Sequence, residues 1–105
     1  MILTTTASIE GRPVQEYLGV INAQSIIGAN MFKDIFAGLR DLIGGRSKTY
    51  ERVIEEAKED AMRELTQKAQ SVGANAVVGI DLDFETVGAS GSMLMVIATG
   101  TAVRI

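Results

Sequence analysis

The stretch "GANAVVGIDLDFE", residues 73–85, marks the place where a long helical pattern gives way to a strand. Gly73 suits the position after a helix C-terminus, because glycine readily adopts the left-handed backbone conformation found there. From residue 80 onward apolar and acidic side chains alternate, and successive side chains of a strand point to opposite faces. The stretch therefore predicts a strand with one apolar side and one acidic side, the latter formed by Asp81, Asp83 and Glu85.

Two helices are predicted upstream of Gly73, since apolar residues recur there every three or four positions. The first begins at Asn30, a plausible N-cap, and ends at the glycines 44 and 45. The second runs from Ser47 to Val72, and its alanines would let it lie close to a sheet. Its apolar stripe consists of Tyr50, Val53, Ile54, Ala57, Ala61, Leu65, Ala69 and Val72.

Four strands are predicted around these helices, at residues 1–9, 14–27, 76–87 and 92–105. Gly19 marks a bulge or a close backbone approach within the second strand. The glycines of "GASG", residues 88–91, predict an antiparallel hairpin between the last two strands. The order is β-β-α-α-β-β, so we expect one α+β domain over residues 1–105, an antiparallel sheet with the long helix packed on it.

The last strand is apolar at both alternations from Met93 to Ala98, which predicts that both of its faces need cover. The long helix can cover one face. The other face needs the first helix or a neighbouring subunit.

Composition argues against several classes of function. The net charge of −3 supplies no broad positive field for a nucleic-acid backbone. Cysteine and histidine are absent from the sequence. There is therefore no cysteine nucleophile and no thiolate metal site, and the commonest general base and metal ligand, histidine, is missing as well. No apolar run approaches the roughly 18 residues that span a bilayer. We therefore expect a cytoplasmic, non-enzymatic protein that binds neither nucleic acid nor membrane.

Three segments together resemble the YbjQ-like family of small bacterial and archaeal proteins: "DIFAGLRDLIGGRSKTYE" (34–51), "GANAVVGIDLDFE" (73–85) and "MLMVIATGTAV" (93–103). The resemblance covers essentially the whole chain. It implies a dodecin-like subunit that assembles as a ring, a homopentamer, and it implies no catalytic activity. The family also carries a heavy-metal-binding label, for which this chain has no cysteine or histidine ligand.

The acidic residues Asp81, Asp83 and Glu85 have two interpretations. Neighbouring carboxylates on one side of a strand are about 6.5 to 7 Å apart, too far to share one hard cation at roughly 2.3 to 2.6 Å. A ring could bring copies together around a divalent ion such as calcium or magnesium. The solvated face of a half-buried strand is the favoured interpretation.

Gly45, Arg46 and Ser47 form a second candidate site, because free N–H groups, a hydroxyl and a guanidinium at a helix start can bind an anion. A helix stop followed by an N-cap is favoured over anion binding. If the anion site exists, an enzyme acting on an anionic substrate through Arg46 and carboxylates is the alternative function.

The remaining candidates have structural explanations. Tyr50 is expected to be a packed tyrosine, and Met93 and Met95 to fill gaps at a subunit interface rather than bind copper. Charge on the long helix near Glu55 and Glu59 could recruit a protein partner, although mixed charges usually mark a solvated surface. The leading hypothesis is a ring-forming homo-oligomer that binds a small ligand or an ion at its subunit interfaces.

Overall fold

The computed structural model describes residues 1–28, 30, 48–91 and 93–105. Its elements in chain order are strands β1 (Ile2–Leu3) and β2 (Glu16–Ile27), helix α1 (Lys48–Ser71), strand β3 (Ala76–Val87), a 3₁₀ turn (Ala89–Gly91) and strand β4 (Met93–Arg104). The helix predicted from Asn30 to residue 43, and the sites at Gly45, Arg46 and Ser47, lie outside the described residues, apart from Asn30 itself.

The strands form one four-stranded sheet in the order β1-β3-β4-β2. β4 is antiparallel to both β2 and β3, and the predicted hairpin between β3 and β4 is confirmed. The expectation of a wholly antiparallel sheet is wrong at one edge, because β1 pairs with β3 in parallel. The sheet is therefore mixed, and the class is α+β.

The first strand is much shorter than the predicted 1–9. It ends at Leu3, and the chain then bends over residues 5–8. Hydroxyl groups bind local partners there: the Thr6 hydroxyl donates to the carbonyl of Ser8 at 2.6 Å, and the Thr6 amide donates to the Thr4 hydroxyl at 3.1 Å. Such local bonds compete with a strand ladder, so β-branched composition alone overestimated the strand.

Two glycines break the ladder regularity. The register of β2 against β4 shifts between Tyr17 and Gly19, where Gly19 has φ +108°, so the predicted bulge is confirmed. A second shift lies between Val78 and Asp81, at Gly79 with φ +63°. Glycine relieves the steric cost of positive φ at both positions.

Helix α1 covers one face of the sheet, mainly over β2 and β4. Its predicted stripe is buried at Val53, Ala57, Ala61, Leu65 and Ala69, which pack on sheet residues including Ala23, Val77, Leu94, Val96, Ala98 and Ala102. Val72 is 44% exposed, contrary to the prediction, because the helix ends at Ser71 and Gly73 turns the chain away at φ +83°.

The described residues cover the opposite face of the sheet only in part. Near the ends of β3 and β4, Ile9 and Val14 from the segment before β2 pack against Val78 and Val103. This small cluster covers the sheet next to β1. The rest of that face defines the candidate site.

Candidate functional site on the open face of the sheet

The candidate site is the sheet face opposite α1, beyond the cover of Ile9 and Val14. Residues directly opposite each other in a ladder point to the same face, so the register identifies its members. We call this surface the open face; its residues are Val20, Asn22, Gln24 and Ile26 on β2, Met93, Met95, Ile97, Thr99 and Thr101 on β4, and Asp81, Asp83, Glu85 and Val87 on β3.

Part of the open face, around Ile26, Met95 and Ile97, is apolar although no described residue covers it. On β4, Leu94 and Val96 under the helix are at most 6% exposed, whereas Met95 and Ile97 on the open face remain partly exposed. On β2, Val20 is 77% exposed and Ile26 is 55% exposed. A solvated face of an antiparallel sheet is normally polar, so this apolar patch is unusual for a surface left in water. We expected both faces of β4 to need cover. Among the described residues, α1 covers one face, and the part of β4 on the open face has no such cover.

The acidic side of β3 borders this patch. Asp81 lies opposite Thr99, Asp83 opposite Ile97 and Glu85 opposite Met95, so one hydroxyl and two apolar side chains neighbour the three carboxylates. All three acids are exposed. The alternation read from the sequence is confirmed here: the acids lie on the open face and Leu82 lies on the helix side.

The Asp81 and Asp83 side chains interact with each other. A hydrogen bond between them raises the pKa of the Asp83 carboxyl above its ordinary 3.8, and the charge of Asp81, slight desolvation and the charge of Glu85 act in the same direction. The open face therefore opposes ionisation of Asp83. Any neighbouring positive charge would relieve that opposition.

A single subunit does not assemble these acids into a chelating group. Over residues 1–28, 48–91 and 93–105, no three Asp, Glu, His or Cys side chains gather closely enough to hold a metal ion. Asp81 and Asp83 approach each other, but residues 81 and 85 lie about 13 Å apart along an extended strand, so the three carboxylates do not converge.

The other residues singled out from the sequence lie in ordinary structural surroundings. Met93 and Met95 do share the open face, with Ile97 beside them. Glu55 forms an ion pair with Lys58 at 2.9 Å on the solvated side of α1, and Arg63 pairs with Asp60 at 2.9 Å. These short-range pairs are typical of an ordinary exposed helix face.

Sequence analysis missed the contribution of β2 to the open face. Asn22 and Gln24 place two amide side chains between the apolar residues Val20 and Ile26. Positions 20, 22, 24 and 26 alternate with the residues under the helix, and this alternation could have identified the face. The bulge at Gly19 obscured it, because it changes which face the residues before it occupy. In the part of the chain that the structure describes, no helix is long and apolar enough to cross a membrane.

Comparison with known proteins identifies the family of this chain. The model of the YbjQ family, described as "Putative heavy-metal-binding", matches residues 1–105. The chain belongs to the YbjQ family. Two curated relatives named UPF0145 protein, from Caulobacter vibrioides strains NA1000 / CB15N and ATCC 19089 / CIP 103742 / CB 15, are each 59% identical over 103 residues, covering 98% of both chains.

A solved structure confirms the fold of this YbjQ family member. It is a protein of unknown function in the DUF74 family from Pediococcus pentosaceus ATCC 25745, with a TM-score of 0.66 and 18% identity over 100% of this chain and 97% of that chain. Identity at this level supports the fold alone. The names of these relatives state no substrate or reaction.

The heavy-metal-binding description of the YbjQ family can be compared with the donors present here. The chain has no cysteine and no histidine, which leaves carboxylate, amide and carbonyl oxygens and five methionine sulfurs. Oxygen donors suit hard cations such as calcium and magnesium, whereas zinc and copper sites normally use imidazole or thiolate. The donor set of the open face therefore fits a hard cation better than a soft metal.

Proposed function

We propose that this chain is the subunit of a non-enzymatic, ring-shaped homo-oligomer, a pentamer as the family resemblance implies, and that the open face forms its subunit interface. One observation carries the proposal: Ile26, Met95 and Ile97 are neighbouring apolar side chains on the open face, Val20 is exposed further along β2, and no described part of the chain covers them. Burying such a surface drives association.

Burial of these apolar side chains contributes to the free energy of assembly. Full burial of a Val, Ile or Met side chain stabilises by about 1.5 to 3 kcal/mol, so four such residues supply a substantial share of an interface even after the entropy cost of association. In a closed ring each subunit presents two different surfaces to its neighbours. The open face would therefore pack on a different surface of the next subunit.

Assembly also supplies a role for the acids on β3. Asp81, Asp83 and Glu85 lie at the margin of the proposed interface, where oxygen atoms from an adjacent subunit can join them. A hard divalent cation needs more oxygen ligands than the described residues of one subunit bring together. Calcium, for example, takes six to eight. We propose that the ring binds such a cation, or another small cationic ligand, at this margin.

The assembly is tested by native mass spectrometry and sedimentation velocity of the wild-type protein and of Met95→Glu. The wild type is expected as a closed oligomer and the variant as smaller species, because a carboxylate would be buried beside Glu85. Val72→Glu is the matched control, since Val72 lies at the end of α1 and away from the open face. A monomeric wild type would contradict the proposal.

Cation binding is tested separately by calorimetric titration of the metal-free oligomer with calcium and magnesium, alongside elemental analysis of the untreated protein. Asp81→Asn is expected to weaken binding, and Glu59→Gln on the solvated helix face is expected to leave it unchanged. Stoichiometric zinc or copper, or no loss of binding in Asp81→Asn, would contradict a hard-cation site at this margin.

A further inference from the structure

The second edge of the sheet is a 12-residue strand with no described partner. β2 is the last strand in the order β1-β3-β4-β2, and among the described strands it pairs with β4 alone. In an antiparallel ladder, alternate residues direct their backbone groups toward the partner strand and the others direct theirs away from it. The Asn22 carbonyl accepts a bond from the Lys68 side chain of α1. This contact indicates that Asn22 directs its backbone groups to the open edge, and that Val20, Gln24 and Ile26, in the same alternation, do so too.

Lys68 of α1 occupies this edge. Its Nζ donates to the backbone carbonyl oxygen of Asn22 at 2.6 Å and lies 3.9 Å from a carboxylate oxygen of Glu64. The contact joins residues 46 positions apart, so it is a tertiary contact between the helix and the strand edge. Lysine at a strand edge is a recurrent means of preventing unwanted strand addition.

The edge is complementary to a second copy of itself. In an antiparallel pair centred on Ala23, Val20 faces Ile26 of the other copy and Asn22 faces Gln24. Apolar residues then meet apolar residues, and amides meet amides. No ionisable side chain other than the weakly acidic Tyr17 lies between residues 17 and 27, so nothing on the strand itself repels a second copy.

In this pairing the second copy and Lys68 compete for the same backbone acceptor. Asn22 and Gln24 both direct their backbone groups outward, so they would exchange two hydrogen bonds across the two-fold axis. The Asn22 carbonyl would accept from the Gln24 amide of the other copy. That is the acceptor which Lys68 occupies.

We propose that the edge of β2 is a strand-pairing site for a second copy of this chain, and that Lys68 holds it closed. The contact is isologous, because each copy contributes the same edge. It therefore differs from the head-to-tail contact of a ring and goes beyond the proposed function, joining two chains or two rings. Displacement of the lysine switches the edge from a closed state to a pairing state.

The test compares Lys68→Ala with Lys58→Ala by sedimentation velocity over a range of concentrations. Lys58 is the matched control, because it also forms an ion pair on α1, with Glu55, but has no contact with β2 among those described. Lys68→Ala is expected to associate to twice the mass of the wild-type species. We expect at least about tenfold stronger association than for the wild type, the effect of releasing one charged hydrogen bond. Lys58→Ala is expected to behave as the wild type.

Two further measurements locate the contact. In Lys68→Ala, the Gln24 amide is expected to gain protection from hydrogen exchange when the mass doubles. Adding Gln24→Pro removes that donor from an edge position where proline is tolerated, and is expected to reverse the doubling. Unchanged mass for Lys68→Ala at every concentration, or doubling without protection of the Gln24 amide, overturns the proposal.

These outcomes are independent of those for the ring. A monomeric wild type whose Lys68→Ala variant dimerises would contradict the ring and support the edge site. A wild-type ring that Lys68→Ala leaves unchanged would support the ring and overturn the edge site.

Discussion

The side-chain amide of Asn75 forms two hydrogen bonds with the backbone of Ile105, one through its nitrogen and one through its oxygen. Asn75 Nδ2 donates to the Ile105 carbonyl at 3.0 Å, and the Ile105 amide donates to Asn75 Oδ1 at 2.8 Å. Asn75 lies between α1 and β3, so this pair fastens the last residue of the sequence to the turn that follows the helix.

Asn75→Ala is expected to loosen the end of β4. Each of the two bonds contributes about 0.5 to 1.5 kcal/mol, so the free energy of unfolding should fall by roughly 1 to 3 kcal/mol. Urea denaturation measures the loss, and hydrogen exchange should show faster exchange of the Ile105 amide. Gln70→Ala, an exposed substitution on α1, is the control. Equal stability of Asn75→Ala and the wild type would show that solvent replaces both bonds.

Leu65→Ala tests the packing of α1 on the sheet. Leu65 is fully buried among the sheet residues under the helix. Removing a buried leucine side chain costs about 2 to 5 kcal/mol, through lost burial and the cavity that remains. A lower urea midpoint measures it, with exposed Gln67→Ala as the control on the same helix. A cost below that of the control would contradict the burial described for this position.

Gly100→Ala tests the close approach of β3 and β4. A Cβ at residue 100 would lie 2.6 Å from Val77 Cγ1 and 3.1 Å from Ile80 Cγ1. Overpacking of this kind typically costs about 1 to 3 kcal/mol, measured again as a lower urea midpoint. Gly28→Ala is matched to it, because a Cβ there would meet none of the described atoms within 4 Å. If both variants have the same midpoint, the two strands are not as close as the structure places them.

Asp83→Asn tests whether the neighbouring acids of the open face raise the pKa of the Asp83 carboxyl. The pKa of Asp83 is raised above 3.8 in the folded protein, mainly by its hydrogen bond with Asp81 and then by the charge of Asp81. The contribution of this carboxyl to stability is therefore full below its ordinary pKa and is lost as pH rises through the raised value. Substitution should raise the urea midpoint at about pH 7 and lose this benefit at about pH 3.

Gln67→Ala, an exposed substitution on α1 that removes no titratable group, is the control. Its effect on the urea midpoint is expected to be the same at both pH values. A benefit of Asp83→Asn that grows as pH falls would contradict the assigned direction.

The sequence predicted the features of the fold that depend on residues close together in the chain. The spacing of Val53, Ala57 and Ala61 indicated the helix, and Gly73 and Gly19 indicated its end and the bulge. These features depend on neighbours within a few residues, where periodicity and backbone conformation are decisive. The alternation of Asp81, Asp83 and Glu85 likewise predicted which face of β3 they occupy.

Tertiary structure decided which elements meet. The parallel pairing of Ile2 with Ala76, the approach of Gly100 to Val77 and the reach of Lys68 to Asn22 all join residues far apart in the chain. No local pattern encodes them, because a strand edge or a helix face is compatible with several partners until packing selects one. The sequence alone determined most elements and their faces, and the assembled fold decided that part of one sheet face has no cover from the described residues beside three carboxylates.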